Sequence, residues 1–184
     1  MRLFVALDIP GAIRVAIQSL IRDLKPFDNS WKWVRAENLH VTLKFLGEVA
    51  AQKLPEVVRT LRTVRATGAM TLRFHGLGFF PNERRPRVLW IGMAAPAELP
   101  RLASDIDAAF ADIGFAREER EFSPHLTLAR SKAGTISAEL RDAITKNSAR
   151  QLGTMDASTF HLVESRIKSA GPEYTTLESF SFTH

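Results

Sequence analysis

The sequence has no cysteine among its 184 residues. Disulfides, thiol nucleophiles and cysteine-ligated metal or iron–sulfur centres are excluded with it. A cysteine-free chain fits a reducing compartment, and the cytoplasm is the expected location. No apolar run approaches the roughly 20 residues that cross a bilayer, so no membrane partner is expected. Residues 1–9 read as a folded strand, because the apolar stretch of a cleavable signal peptide is missing from them. Acid is also in short supply. Lys+Arg is 25 against Asp+Glu 20, a net charge of +5 with a pI near 10.0. Of the basic residues 18 are arginine and 7 lysine. A guanidinium forks onto two oxygens, so this bias suits phosphate recognition. The net charge is modest, and by itself says only that an anionic partner fits.

What is present alternates between strand and helix without a linker. Residues 2–8 alternate as a strand, with Leu3, Val5 and Leu7 on one side. Pro10 opens a helix whose stripe is Ile13, Ile17, Leu20 and Leu24. Residues 31–34 read as a short strand or aromatic turn. Residues 40–46 read as a strand stopped by Gly47. Leu54, Val57, Val58, Leu61 and Val64 mark a second helix, closed by Gly68. Residues 70–74 and 88–93 alternate again. Leu102, Ile106, Phe110 and Ile113 follow Pro96 as a third helix ending at Gly114. Ile136, Leu140 and Ile144 mark a fourth. Residues 126–129, 160–167 and 174–182 read as strands.

Three landmarks recur at one offset. Pro10 to Pro96 is 86 residues, His40 to His125 is 85, and Met70 to Met155 is 85. The spacing predicts one domain over residues 1–184, built by duplication of a β–α–β–α–β–β unit, with a cleft on an approximate two-fold axis.

Two tetrapeptides stand at equivalent points of that repeat: His40-Val41-Thr42-Leu43 and His125-Leu126-Thr127-Leu128. Side chains alternate along a strand, so His and Thr share one face about 7 Å apart, at roughly 3.3 Å per residue. Two such strands facing across an axis bring two imidazoles and two hydroxyls together. That set suits phosphoryl transfer without metal. A neutral imidazole takes a proton from water, and a protonated one donates to the departing oxygen. The hydroxyls of Thr42 and Thr127 hydrogen-bond non-bridging oxygens. Arg130 adds a charge clamp, reaching back from near the strand end. A single His-x-Thr in a strand is more often a satisfied core histidine. Two copies at matched points favour function.

The stretches 38–49 (NLHVTLKFLGEV) and 123–130 (SPHLTLAR) resemble the two signatures of the 2H phosphoesterases. More closely they are similar to the bacterial and archaeal RNA 2′,3′-cyclic phosphodiesterases, also called 2′-5′ RNA ligase or LigT-like proteins. The opening RLFVALD and residues 174–177 (YTTL) fit that branch, so the resemblance spans the chain. It implies an α+β, bilobed fold of two pseudo-symmetric sheet lobes with outer helices around a central cleft, and no cofactor or metal. It implies an RNA end as partner and opening of its 2′,3′-cyclic phosphate to a 2′-phosphate. It makes His40 the proton donor to the leaving 3′ oxygen and His125 the base on water, although two equivalent imidazoles do not themselves fix that order. It also implies joining of RNA through a 2′-5′ linkage, with a 5′ hydroxyl in place of water. A monomer is expected. Two other readings stay open: a 2H hydrolase of a small cyclic nucleotide or ADP-ribose cyclic phosphate, and an RNA-end-binding module without chemistry.

Several other residues fit a structural role as readily as a functional one. His75 and His161 echo each other beyond the motifs, but sit among apolar strand residues and read as outward and solvated. His184 is terminal. Trp31, Trp33, Phe45, Phe79 and Phe80 are candidates to stack a base, worth roughly 1–3 kcal/mol each. Phe45 is odd-numbered from His40 and so reads as core, while Lys44 shares the parity of His40 and reads as cleft edge. Arg84, Arg85 and Arg87 form either a backbone-phosphate contact or a solvated loop.

Overall fold

The stripe Ile13, Ile17, Leu20 and Leu24 is the set of buried residues of the first helix, as its spacing predicts. The computed structural model describes residues 1–66, 68–169 and 171–183; His184 lies outside them. The elements run β1 (Arg2–Asp8), α1 (Gly11–Leu24), β2 (Lys32–Trp33), β3 (His40–Glu48), α2 (Leu54–Thr63), β4 (Met70–Phe80), β5 (Val88–Ala94), α3 (Glu98–Ala111), β6 (His125–Arg130), α4 (Ala138–Asn147), β7 (Gln151–Ala157), β8 (Thr159–Lys168) and β9 (Gly171–Ser181).

The strands form two antiparallel sheets. The first has the order β3-β1-β8-β9, the second β2-β6-β5-β4-β7. Leaving β2 aside, the orders match strand for strand, with β3 answering to β6, β1 to β5, β8 to β4 and β9 to β7. The lobes are not the two halves of the chain. β4 leaves the first half to lie beside β5, and β8 leaves the second half to lie beside β1. The helices cross over too. α2 and α3 pack together on the first sheet, while α1 packs against β7 and α4 behind the second. One apolar core runs through both lobes, from Leu3 and Val5 to Leu126 and Leu128. A small separate cluster of Phe4, Ala6 and Val163, with Tyr174 against it, lies on the other face of the first sheet.

Three expectations shift. Gly47 does not stop β3; it sits at φ +71° opposite Leu3, while Phe4 pairs with Phe45, so Leu46 is the extra residue of a bulge. A left-handed glycine at a bulge lets the strand continue. α2 ends before Gly68, because Val64 is already extended. Met155 is not the counterpart of Met70. It lies within β7, paired with Leu72 of β4, and the matched sheet orders make β8 the strand that answers to β4.

Candidate active site

The motif strands β3 and β6 approach each other between the sheets. On β3, Val41 and Leu43 turn into the core while His40 and Thr42 are half-buried on the opposite face. A one-residue bulge follows. Ala6 pairs with Thr42 but Val5 with Lys44, so Leu43 has no partner of its own. The extra residue reverses the parity of everything after it. Lys44 turns inward at 3% exposure and Phe45 turns out onto the cleft face at 55%. Both parity-based expectations for these residues are therefore overturned by one bulge.

β6 carries the same irregularity. Trp90 pairs with Thr127 but Leu89 with Ala129, which leaves Leu128 extra. Ala129 is buried and Arg130 exposed. Arg130 thus shares a face with His125 and Thr127 despite its odd separation, and has no need to curl back from the strand end.

The two imidazoles are anchored alike. His40 Nδ1 lies 2.7 Å from the Asn38 carbonyl oxygen, and His125 Nδ1 lies 2.7 Å from that of Ser123. A carbonyl only accepts, so Nδ1 carries the hydrogen and donates it. Each ring therefore offers Nε2 as its free nitrogen, a base when neutral and an acid when protonated. Around His40, the Phe4 ring lies at 4.7 Å and the Tyr174 ring at 5.2 Å, edge-on. Phe80 meets His125 edge-on at 4.9 Å. Burial pushes the His40 imidazole below its ordinary value, its hydrogen bond to Asn38 opposes this, and the charges of Arg130 and Arg14 add to the lowering. Burial also raises the Tyr174 phenol, against the pull of Arg130 and Arg2. The Arg130 charge is thus felt at both His40 and Tyr174.

The lobes also differ where β1 and β5 face their inner neighbours. In the first, Ala6 stands beside His161. In the second, the matching place has Trp90 beside Gly78. A Cβ on Gly78 would lie 2.2 Å from the Trp90 ring, so the indole lies flat over that glycine. The tryptophan fills the second lobe, whereas the small Ala6 leaves a pocket of about 130 Å³ in the first. His40, His161, Asp8, Tyr174 and Thr176 line it. Its Asp8 carboxylate accepts from the Arg14 guanidinium, which also donates to the Ile9 and Ala36 carbonyls.

His161 is thus a half-buried wall of the pocket and not a solvated side chain; its Nδ1 meets Ser179 Oγ at 2.9 Å. Burial lowers its imidazole below the ordinary value, with Asp8 opposing. The echo with His75 dissolves, because His75 pairs with Gln151 at the far side of a bulge. Trp31 is core at 3% exposure, with Phe79 packed on it. Phe80 stands beside His125, and Trp33 is half-buried on the helix side of the second sheet. Arg84, Arg85 and Arg87 are exposed in the β4–β5 loop, where Arg87 donates to the Lys132 carbonyl.

The family model described as LigT like Phosphoesterase matches twice, over residues 7–90 and 91–174. The chain belongs to that family. An RNA 2′,3′-cyclic phosphodiesterase of Archaeoglobus fulgidus is 37% identical over 98% of this chain and 99% of its own length. One of Methanothermobacter thermautotrophicus is 36% identical over 97% of each. Among solved structures, Escherichia coli LigT complexed with 3′-AMP superimposes with a TM-score of 0.81 at 31% identity, covering all of this chain and 98% of LigT. In this LigT-like chain Phe45 and His161 are the cleft residues that sequence reasoning misplaced. Neither had a local signal: one depends on a bulge set by β1, the other on the small residue across the strand pair.

Proposed function

We propose that the cleft hydrolyses a terminal 2′,3′-cyclic phosphate of RNA to a 2′-phosphomonoester, as the names of its relatives support. The observation that carries the reading is the matched pair of Nδ1 anchors, which leaves two Nε2 atoms free on strands that approach each other. His125 Nε2 takes a proton from water as its oxygen attacks phosphorus. The bond from phosphorus to the 3′ oxygen breaks, and His40 Nε2–H donates its proton to that oxygen. The hydroxyls of Thr42 and Thr127 donate to the non-bridging oxygens, and the Arg130 guanidinium balances the charge that builds there. The pocket supports this order of roles. It lies on the His40 side, where the ribose carrying the leaving 3′ oxygen needs room, and Trp90 closes the other side.

We read the chain as one bilobed domain built by duplication, supported by the two successive family matches and the matched sheet orders. Both motifs stand on one chain, so a monomer suffices to build the cleft, and a monomer is the state we propose. The cysteine-free composition fits the cytoplasm. Among the described residues no helix is long and apolar enough to cross a membrane.

Phosphorus NMR of an RNA oligomer ending in a 2′,3′-cyclic phosphate tests the reaction. The cyclic signal gives way to a 2′-monoester. No turnover, or a 3′-monoester, overturns the proposal.

A further inference from the structure

Strand β2 is only two residues long, yet it is firmly placed. Trp33 pairs with Ala129 and so turns to the helix side, where Ala129 is fully buried. Trp31 just before it is core, and the Val34 amide donates to the Leu128 carbonyl at 2.8 Å. These contacts fix Lys32 directly opposite Arg130. Residues opposed in an antiparallel pair share a face, with Cβ atoms about 4.5–5.5 Å apart, and like charges there repel. Lys32 therefore stands on the cleft face beside the arginine of the second motif, and both are exposed. Among the described residues neither joins an ion pair. The nearest acids along the chain are engaged elsewhere. Asp28 accepts from Ser30 and from the Ser137 amide, and Glu37 pairs with Arg35.

Two unpaired cations held side by side at a phosphate site are unfavourable in the empty protein and favourable once anions arrive. The reacting phosphodiester carries one negative charge, which Arg130 matches. We propose that Lys32 is a second phosphate-binding cation of the cleft, holding the phosphodiester on the 5′ side of the terminal nucleotide. The inference rests on the RNA-end reading above and sharpens it. The preferred substrate is a strand bearing at least one internal phosphate, and a lone nucleoside cyclic phosphate leaves Lys32 unused.

Lys32→Gln decides this when assayed on two substrates, an oligonucleotide ending in a 2′,3′-cyclic phosphate and a nucleoside 2′,3′-cyclic phosphate. The expected result is a KM about tenfold higher for the oligonucleotide, with kcat little changed and the nucleoside substrate unaffected. The salt dependence of oligonucleotide binding falls by about 0.7 in log–log slope, the value for one single-strand phosphate contact. Lys32→Arg restores the wild-type KM. The melting temperature of Lys32→Gln stands at or above wild type, since a repulsion has been removed. An unchanged oligonucleotide KM overturns the inference. So does an equal rise for both substrates, which puts Lys32 on the reacting phosphate. If the wild-type chain turns over neither substrate, it is the RNA-end reading that has failed. Calorimetry still decides Lys32 there. A dinucleotide ending in a 2′-phosphate binds wild type more tightly than the mononucleotide does, and Lys32→Gln abolishes the difference; a difference that persists overturns the inference.

Discussion

Phe45 and Arg130 occupy the same place on two matching strands, each five residues after a motif histidine and just past a one-residue bulge. The bulge is what brings them onto the cleft face. One wall thereby gains an exposed aromatic ring and the other a guanidinium. This asymmetry, with Ala6 against Trp90, gives a nearly two-fold scaffold one aromatic wall with a pocket and one charged wall.

Arg130→Gln should lower kcat by about a hundredfold, the scale seen when one charge-stabilising donor is removed. It should also let the His40 imidazole rise toward its ordinary value, because Arg130 is one of the charges that lower it. Steady-state kinetics and an NMR titration of the His40 ring check both effects. A kcat within twofold of wild type would remove Arg130 from the site.

Much of the placement of the candidate site's residues was legible in the sequence, and the reasons for the rest are specific. His40, Thr42, His125 and Thr127 needed only strand periodicity, which holds within each four-residue motif. Lys44, Phe45 and Arg130 lie beyond a bulge, and a bulge is a property of two paired strands. β1 and β5 impose it, and nothing in the residues 43–45 announces it. The stripe of α1 was complete because a helix closes its hydrogen bonds within itself. The exchange of β4 and β8 between lobes was hidden for the opposite reason, since a strand's partners lie far along the chain.

His40→Ala and His125→Ala should each cost at least about a hundredfold in kcat, since a placed general acid or base contributes roughly 10²–10⁴. Wild-type turnover should persist in excess EDTA with a bell-shaped pH profile belonging to the coupled pair. Loss of all activity in EDTA would defeat a mechanism run by the two imidazoles alone.

The lowered imidazoles of His40 and His161 also bear on stability. Below about pH 6.5, the ordinary histidine value, the unfolded chain binds protons that these buried rings resist. The unfolded state then holds more protons, so stability rises with pH across that window. It is therefore full above about pH 6.5 and is lost as the pH falls toward the lower folded values. Urea unfolding between pH 7 and 5 should show the decline, and His161→Gln should flatten part of it. A bound 2′-nucleotide should raise the His40 titration, because its negative charge favours the imidazolium. A His40 titration that nucleotide leaves in place would contradict the assigned site.

Lys44 gives a prediction of stability without chemistry. Its Nζ donates to Asp107 Oδ1 at 2.6 Å and to the Ala116 carbonyl at 3.0 Å, and the Glu118 amide donates to the same carboxylate oxygen at 3.0 Å. The first motif strand is thereby tied to α3 and to the segment that leads into His125. Burial works to raise the Asp107 carboxyl, but the hydrogen bonds from Lys44 and Glu118 and the charges of Lys44 and Arg117 outweigh it and hold it below the ordinary range. Lys44→Met takes the buried cation from a carboxylate that keeps the exposed Arg117 at 3.0 Å and the Glu118 amide, which costs about 2 kcal/mol, the scale of a hydrogen bond to a charged group. Because Lys44 faces away from the cleft, kcat of the folded fraction should stay near wild type, and denaturant midpoints measured beside kcat separate the two effects. The double variant Lys44→Met with Asp107→Leu should recover much of the lost stability, since no buried charge is then left alone. A double variant no more stable than Lys44→Met would show that the tie between the motif strands, and not the carboxylate left to Arg117 alone, carries the cost.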